Sequence, residues 1–308
     1  MGRFLRSAWA ILLVVAFVTV LLCACKPDTP PEDKTPPEIE YTIDETVLSS
    51  GKNANHADFY AANVTKVENS PLAGKTIYWL GSSVTYGASS EGESMAEFLA
   101  AKTGAICVKD AVSGTTIFDD GKTNDTGLNS YTRRLINSTK FDKNAEVDAF
   151  ICQISTNDAR NDRLSKRGAI ASFPSEDNPN YDKGAFKRDT TLGGVEYIIA
   201  YVIETWGCPV YFYSGSYFGD TGARSSSNPT GTNYGKFVEE VKEIAKKWQN
   251  CGYEVDVIDL FNDEDFNAQV TDEYYKWCTS DAIHPKRAGY LNWWMPYFEQ
   301  YLIVKFDF

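Results

Sequence analysis

Apolar positions recur along the chain in two periods, and their order predicts the fold. Residues 76–80 (TIYWL) and 105–108 are short apolar runs, and 147–154 (VDAFICQI) is apolar almost throughout, as expected of a strand buried on both faces. Two further runs, 209–213 and 255–260, complete five predicted strands. The stretches between them have helical spacing. Residues 94–102 place Met95, Phe98 and Leu99 on one face. A helix is predicted over 192–206. Another over 234–249 is strongly amphipathic, with Phe237, Val238, Val241, Ile244, Ala245 and Trp248 inward. A closing helix over 286–303 turns Leu291, Trp294, Met295, Phe298 and Leu302 inward, and Pro296 within it should kink or divide it.

Strands alternating with helices of these lengths predict an α/β fold: a three-layer αβα sandwich with a central parallel sheet of about five strands, flavodoxin-like in layout. Ligands of such sheets bind beyond the carboxyl ends of the strands, near the reversal of strand order. Two irregular stretches, 160–189 and 214–232, follow the third and fourth strands and are expected to wall a site at that edge.

The N-terminus stands outside this pattern. Arg3 and Arg6 precede an uncharged run over 8–24, which reads as a secretory signal and is short of the roughly 20 residues a membrane span needs. Leu22 and Ala24 ahead of Cys25 resemble a bacterial lipobox, although Cys23 is unusual between them. That resemblance implies cleavage after Ala24, lipidation of Cys25 and a lipid anchor to the bacterial cell envelope; plain secretion or an uncleaved anchor is the alternative. Residues 26–40 (KPDTPPEDKTPPEIE) are rich in Pro and charge and read as an extended tether. The signal thus occupies 1–25, linker and preamble 26–50, and the domain 51–308, with 41–70 as a partly helical segment on the domain edge. With a net charge of −12 and a pI of about 4.8, the chain has no basic footprint for nucleic acid. Hydrophobic residues make up 43% of the chain and aromatic residues 14%, which supports a sizeable core.

Candidate chemistry lies at the strand ends. The first strand runs into Gly81-Ser82-Ser83, and a serine on a strand-to-helix turn has its hydroxyl held above the sheet with free N–H groups nearby. Ser113-Gly114, Thr156-Asn157-Asp158 and Asp281-Ala282-Ile283-His284-Pro285 fall after later strands or in the last loop. In this order, these stretches resemble the four blocks of the SGNH (GDSL-type) hydrolases, over residue 71 to the C-terminus. The resemblance implies that Ser83 is the nucleophile, His284 the general base and Asp281 the residue that orients the imidazole. It also implies an oxyanion hole from the N–H groups of Ser83 and Gly114 and the side-chain amide of Asn157. Asp158 reads as a brace for its loop. Two positions depart from the family: Ser82 stands where Asp is usual, so the turn must be braced differently, and Ser155 stands where Gly is usual, which could narrow the space beside the oxyanion hole.

No cofactor is needed for this chemistry. No histidine and cysteine cluster has zinc spacing, and His56 reads as a surface residue rather than a metal ligand. Cys107 and Cys152 fall inside strands. Cys208 and Cys251, each just before a neighbouring strand, are the pair best placed for a disulfide, although sequence does not supply its geometry.

The family hydrolyses esters ranging from acetylated sugars to lipids and thioesters. Tyr217, Phe218, Tyr274, Tyr275 and Trp277 lie in predicted loops, where they would stack on a sugar ring or simply pack. No long apolar lid is evident. The reading is therefore a serine esterase that hydrolyses an O-acyl ester, in particular O-acetyl, on a carbohydrate or other small molecule through an acyl-enzyme. Acyl transfer on the same site is close chemistry. A non-catalytic glycan-binding lipoprotein on a hydrolase scaffold is motivated by Ser82 and Ser155. A flavin or phosphate binder using residues 82–90 would leave Asp281 and His284 unexplained.

Overall fold

A computed structural model of the protein describes residues 39–121 and 130–306. The signal, lipobox and Cys25 lie outside the described residues, as does most of the tether.

Five strands form one sheet: β1 (Thr76–Gly81), β2 (Ile106–Ala111), β3 (Ala149–Gln153), β4 (Val210–Tyr213) and β5 (Val255–Ile258). All neighbours are parallel, in the order β2-β1-β3-β4-β5. Strand order therefore reverses beside β1, with β2 on one side and β3 on the other, and a site is expected at the carboxyl ends there. The register pairs Gly81 with Ala111 and Leu80 with Cys152.

The two-residue period of the strands builds two cores. Tyr78, Leu80, Phe150, Cys152, Val210 and Phe212 face one layer, while Ile77, Trp79, Ala149, Ile151, Tyr211 and Tyr213 face the other. The first layer is covered by α3 (Tyr131–Asn137), α4 (Thr191–Trp206) and α5 (Gly231–Asn250). The second is covered by α2 (Met95–Thr103) and the closing helix α8 (Met295–Phe306). This is the expected three-layer sandwich. The inward face predicted for α5 is buried at all six positions, from Phe237 to Trp248.

Pro296 does not break the last helix, whose helical run continues over 287–306. Without an N–H to donate, it falls just after a π-helical turn over Tyr290–Trp294, in which the Met295 N–H reaches the Tyr290 carbonyl.

Three short helices lie where no helix was expected: α3, α6 (Glu264–Ala268) and α7 (Asp272–Cys278). Each is opened by a side-chain cap, from Ser130, Asp263 and Thr271 respectively. α7 absorbs Tyr274, Tyr275 and Trp277. The first two are buried, and Phe218 is buried against Tyr234 and Phe261, so these rings pack rather than face solvent. Trp277 is partly covered by Phe59, which leaves Tyr217, 46% exposed, as the open ring of the group.

The expectation for 160–189 is corrected over its second half, whereas Arg163, on the Asn157 carbonyl, and Asn161, on Asn228, keep 160–166 at the site edge. Phe173 and Phe186 stack together, and Tyr181 packs on Trp248 and Tyr253, near the start of β5. Lys247 ties this segment down through the carbonyls of Ala171 and Phe173 and an ion pair with buried Glu196. Residues 169–186 therefore cover the helix layer and reach toward the opposite sheet edge. All five described cysteines are free. Cys251 sits in the C-terminal cap of α5, near Lys247 and Glu176, whereas Cys208 is buried near Asp148, so the two candidate partners face different surroundings and are not bridged. His56 caps the turn over Ala57–Phe59 by accepting from the Asp58 N–H. Among the described residues no helix is long and apolar enough to cross a membrane.

Candidate active site

β1 ends at Gly81, and the chain turns at Ser82 into the one-turn helix α1 (Ser83–Tyr86). Gly81 is required by space: a Cβ there would collide with the Thr85 side chain. Ser83 is buried at 8% exposure, and its Oγ lies 2.7 Å from Nε2 of His284. His284 Nδ1 in turn lies 2.9 Å from Oδ2 and 3.1 Å from Oδ1 of Asp281. Three side chains from the two ends of the domain thus form one hydrogen-bonded line.

The loop over 279–285 holds the acid and the imidazole together. Its ends are closed by a bridge between Thr279 and Pro285 and by the Lys286 N–H donating to the Cys278 carbonyl at 2.7 Å. Inside it, Asp281 Oδ1 accepts from the N–H groups of Ile283 and His284, both at 2.8 Å. The buried Tyr275 hydroxyl donates to the Ala282 carbonyl at 2.8 Å. Burial alone would raise the Asp281 pKa. The His284 ring and these two N–H groups outweigh it and hold the carboxyl below its ordinary range. A carboxylate on Nδ1 fixes the tautomer that leaves Nε2 able to accept a proton from Ser83.

The turn at Ser82 is braced from β3. Gln153, 2% exposed, turns its Oε1 toward the nucleophile turn. It accepts from the Ser82 N–H at 3.0 Å, the Thr85 N–H at 3.1 Å and the Thr85 hydroxyl at 2.8 Å. The Ser82 hydroxyl is farther from it, at 3.3 Å. The bracing expected from an Asp at position 82 is supplied here by a neutral amide one strand away. The carbonyl of Val84 accepts from the Tyr290 hydroxyl at 2.7 Å, which fixes the far side of α1.

Arg134 on α3 went unrecognised in the sequence. It is fully buried, donates to the Gly81 carbonyl at 2.6 Å and to Thr115 Oγ1 at 3.2 Å, and pairs with Asp110 at 3.0 Å. It thereby joins the end of β1 to the loop after β2, where Gly114 sits with φ 79, a left-handed conformation that suits glycine. A Ser cap before a Leu-Ile pair was the available signal for α3, but a buried arginine is not predictable from spacing.

Asn157 follows β3 in the turn over Thr156–Ala159. Its Nδ2 donates to the Thr115 carbonyl at 3.0 Å, next to Gly114, with its second N–H left over. Ser155, fully buried, accepts from the Asn157 N–H at 3.2 Å and donates to the same Thr115 carbonyl at 3.3 Å. Asp158 braces the loop as expected: it accepts from the N–H groups of Ile117 and Phe118 and from the Thr191 hydroxyl. Burial lifts its pKa to about 6, partly offset by those donors. The loops bearing Ser83, Gly114 and Asn157 are thus joined through Arg134, Gln153 and Thr115 at the carboxyl ends of β1, β2 and β3.

One rim of this edge is formed by the segment after β4. Ala223 and Ser225 face Thr279, Ser280, Asp281 and Ala282 across a cavity of about 310 Å³. Tyr217 is fixed by its N–H donating to Asn267 Oδ1, and its carbonyl lies 3.1 Å from the Tyr275 hydroxyl. Its ring lies over a second groove, of about 440 Å³, with Phe261, Asn262, Glu264 and Asn267.

Several solved structures are similar to the chain. A Lactobacillus plantarum protein is 18% identical over 77% of this chain and 99% of its own, with a TM-score of 0.49. An acetyl xylan esterase from the rumen bacterium Butyrivibrio proteoclasticus is 15% identical over 78% and 66%, with a TM-score of 0.45. A family two carbohydrate esterase from Clostridium thermocellum, solved with cellohexaose, is 14% identical over 79% and 65%, also with a TM-score of 0.45. Among curated proteins none matches the chain. The sequence profile of the GDSL-like lipase/acylhydrolases matches residues 77–295, well over half of the chain. The protein therefore belongs to the GDSL-like lipase/acylhydrolase family and is a carboxylic ester hydrolase.

Proposed function

We propose that the protein removes O-acyl groups, in particular O-acetyl, from a carbohydrate through an acyl-enzyme on Ser83. The observation that carries this reading is the line Ser83–His284–Asp281, with contacts of 2.7 Å and 2.9 Å. His284 Nε2 takes the Ser83 proton as Oγ attacks the ester carbonyl, then returns it to the departing alcohol. Asp281 stabilises the imidazolium formed in between. The N–H groups of Ser83 and Gly114 and the free N–H of Asn157 Nδ2 receive the oxyanion, and water then releases the acid by the same steps. The half-exposed Tyr217 ring, beside a groove that mixes Phe261 with Asn262, Glu264 and Asn267, offers both a stacking face and hydrogen-bonding groups, as a sugar requires. The carbohydrate is expected outside the cytoplasm, with the chain held at the envelope by a lipid on Cys25.

The test is hydrolysis of p-nitrophenyl acetate, butyrate and octanoate by the wild type and Ser83→Ala, followed by acetate release from acetylated oligosaccharides. Preference for acetate and loss of nearly all turnover in a folded Ser83→Ala support the reading. Equal activity of the two proteins overturns it. A wild-type chain that incorporates no labelled fatty acid at Cys25 would overturn the lipid anchor.

A further inference from the structure

The segment before β1 lies outside the family match, yet it reaches the catalytic loops. Ala54 accepts from the Ala288 N–H at 2.9 Å, and the Lys52 carbonyl accepts from the Trp277 indole at 2.8 Å. Asn55 makes a more specific contact. Its Nδ2 donates to the Ser89 carbonyl at 2.8 Å, in the loop that follows α1 and Ser83. Its Oδ1 accepts from the Arg287 N–H at 3.0 Å, three residues beyond His284. One amide side chain thus spans the loop behind the nucleophile and the loop behind the base.

Neighbouring groups reinforce the same junction. Ser89 Oγ lies 2.5 Å from Ser280 Oγ, next to Asp281. The Arg287 guanidinium is buried, pairs with Glu91 and Glu93 after α1, and lies 4.2 Å from the Tyr60 ring centroid. Glu93 also accepts from the Ala61 N–H at 3.2 Å. No other segment among these touches both loops through one side chain.

We propose that Asn55 is a positioning residue that sets the Ser83–His284 contact by fixing the two loops against each other. The proposal rests on the Ser83 reading above. Small shifts between a nucleophile and its base are costly, about 10²-fold for about 1 Å, so a residue distant from the substrate can control turnover. Ser280, on Ser89, and the Arg287 ion pairs with Glu91 and Glu93 are parallel ties between the same loops.

The experiment uses the full-length chain as wild type, Asn55→Ala, Ser280→Ala and the double variant. A fluorophosphonate that reacts only with an activated serine is the probe, its rate followed alongside kcat, KM and Tm. Failure of the wild type to label would count against the Ser83 reading itself, and the outcomes below presuppose labelling. Asn55→Ala is expected to label about 10-fold more slowly, with kcat falling in parallel and KM within about twofold. The double variant is expected to lose more than the product of the single losses, because each tie covers for the other. If Asn55→Ala does not fold, Ser280→Ala, whose change is a single surface hydroxyl, should show the same pattern at smaller size. The proposal is overturned if folded Asn55→Ala labels at the wild-type rate, if its loss of kcat merely follows its folded fraction, or if Ser280→Ala leaves labelling unchanged in a background where Asn55→Ala cannot be read.

Discussion

Replacing Gln153 by Leu should loosen the turn that carries Ser83. Leu fills a similar volume but removes the oxygen that accepts from the Ser82 and Thr85 N–H groups at 3.0 Å and 3.1 Å. Both donors lie in a buried pocket where water cannot easily replace it. A buried donor left without a partner costs about 1–3 kcal/mol. Two such donors, allowing for relaxation of a one-turn helix, give about 3 kcal/mol. For a domain of this size each kcal/mol shifts Tm by about 2–4 °C, so Tm should fall by roughly 6–12 °C. Turnover should fall about 10-fold or more, since the Ser83 hydroxyl no longer has one position relative to His284. Ser82→Ala is the informative comparison. Its hydroxyl is the long contact at 3.3 Å, while its N–H, which any residue supplies, is the short one, so it should cost less than about 1 kcal/mol. Thermal melting followed by circular dichroism, with p-nitrophenyl acetate kinetics on the same preparations, measures both effects. A Gln153→Leu protein that melts and turns over like the wild type would refute the bracing role.

Arg134→Met should lower stability in urea by about 3–5 kcal/mol, because it leaves Asp110 without its buried partner. Asp158 titrates at about 6 in the fold against an ordinary 3.8. The proton is held more tightly in the folded state, so its contribution to stability is complete below about pH 4 and is lost as pH rises through about 6, amounting to about 3 kcal/mol by pH 7. Denaturant melts of Asp158→Asn against wild type should therefore shift in the variant's favour from pH 4 to pH 7, and parallel profiles would contradict this. Asp281 behaves in the opposite sense: its lowered pKa favours the fold above the ordinary carboxylate range, and that contribution is lost as pH falls. Asp281→Asn should reduce kcat on the order of 10⁴-fold with little change in KM, through loss of the imidazole's tautomer and charge partner.

The strands and long helices were legible because their hydrophobic periods are strong: the apolar run ending at Ile154 could only be a strand covered on both sides, and the face from Phe237 to Trp248 could only pack inward. Ser83, Gly114, Asn157, Asp281 and His284 were legible as a motif, each at the end of an element whose direction the alternation of strands and helices had set. The polar supports were not. Gln153 and Arg134 look like ordinary polar residues near apolar runs, and their roles arise only when β1, β3 and α3 meet. Whether the aromatic residues of α7 stack on a ligand or pack is left open by the sequence, because a seven-residue helix has too few turns to show a period; its Thr271 cap is the sign that tertiary packing fixes it. The reach of 169–186 away from the site follows from Lys247, which pairs with buried Glu196 and donates to the Ala171 and Phe173 carbonyls, contacts that no local pattern announces.

The most direct measurement of the central claim is to mix the protein with p-nitrophenyl acetate, quench in acid at short times and locate the acetyl group by peptide mass. An acetyl group on the peptide containing Ser83, appearing with the first burst of p-nitrophenol and absent from Ser83→Ala, is the predicted result. Steady acetate release with no acetyl group on Ser83 at any time, and undiminished in Ser83→Ala, would contradict it.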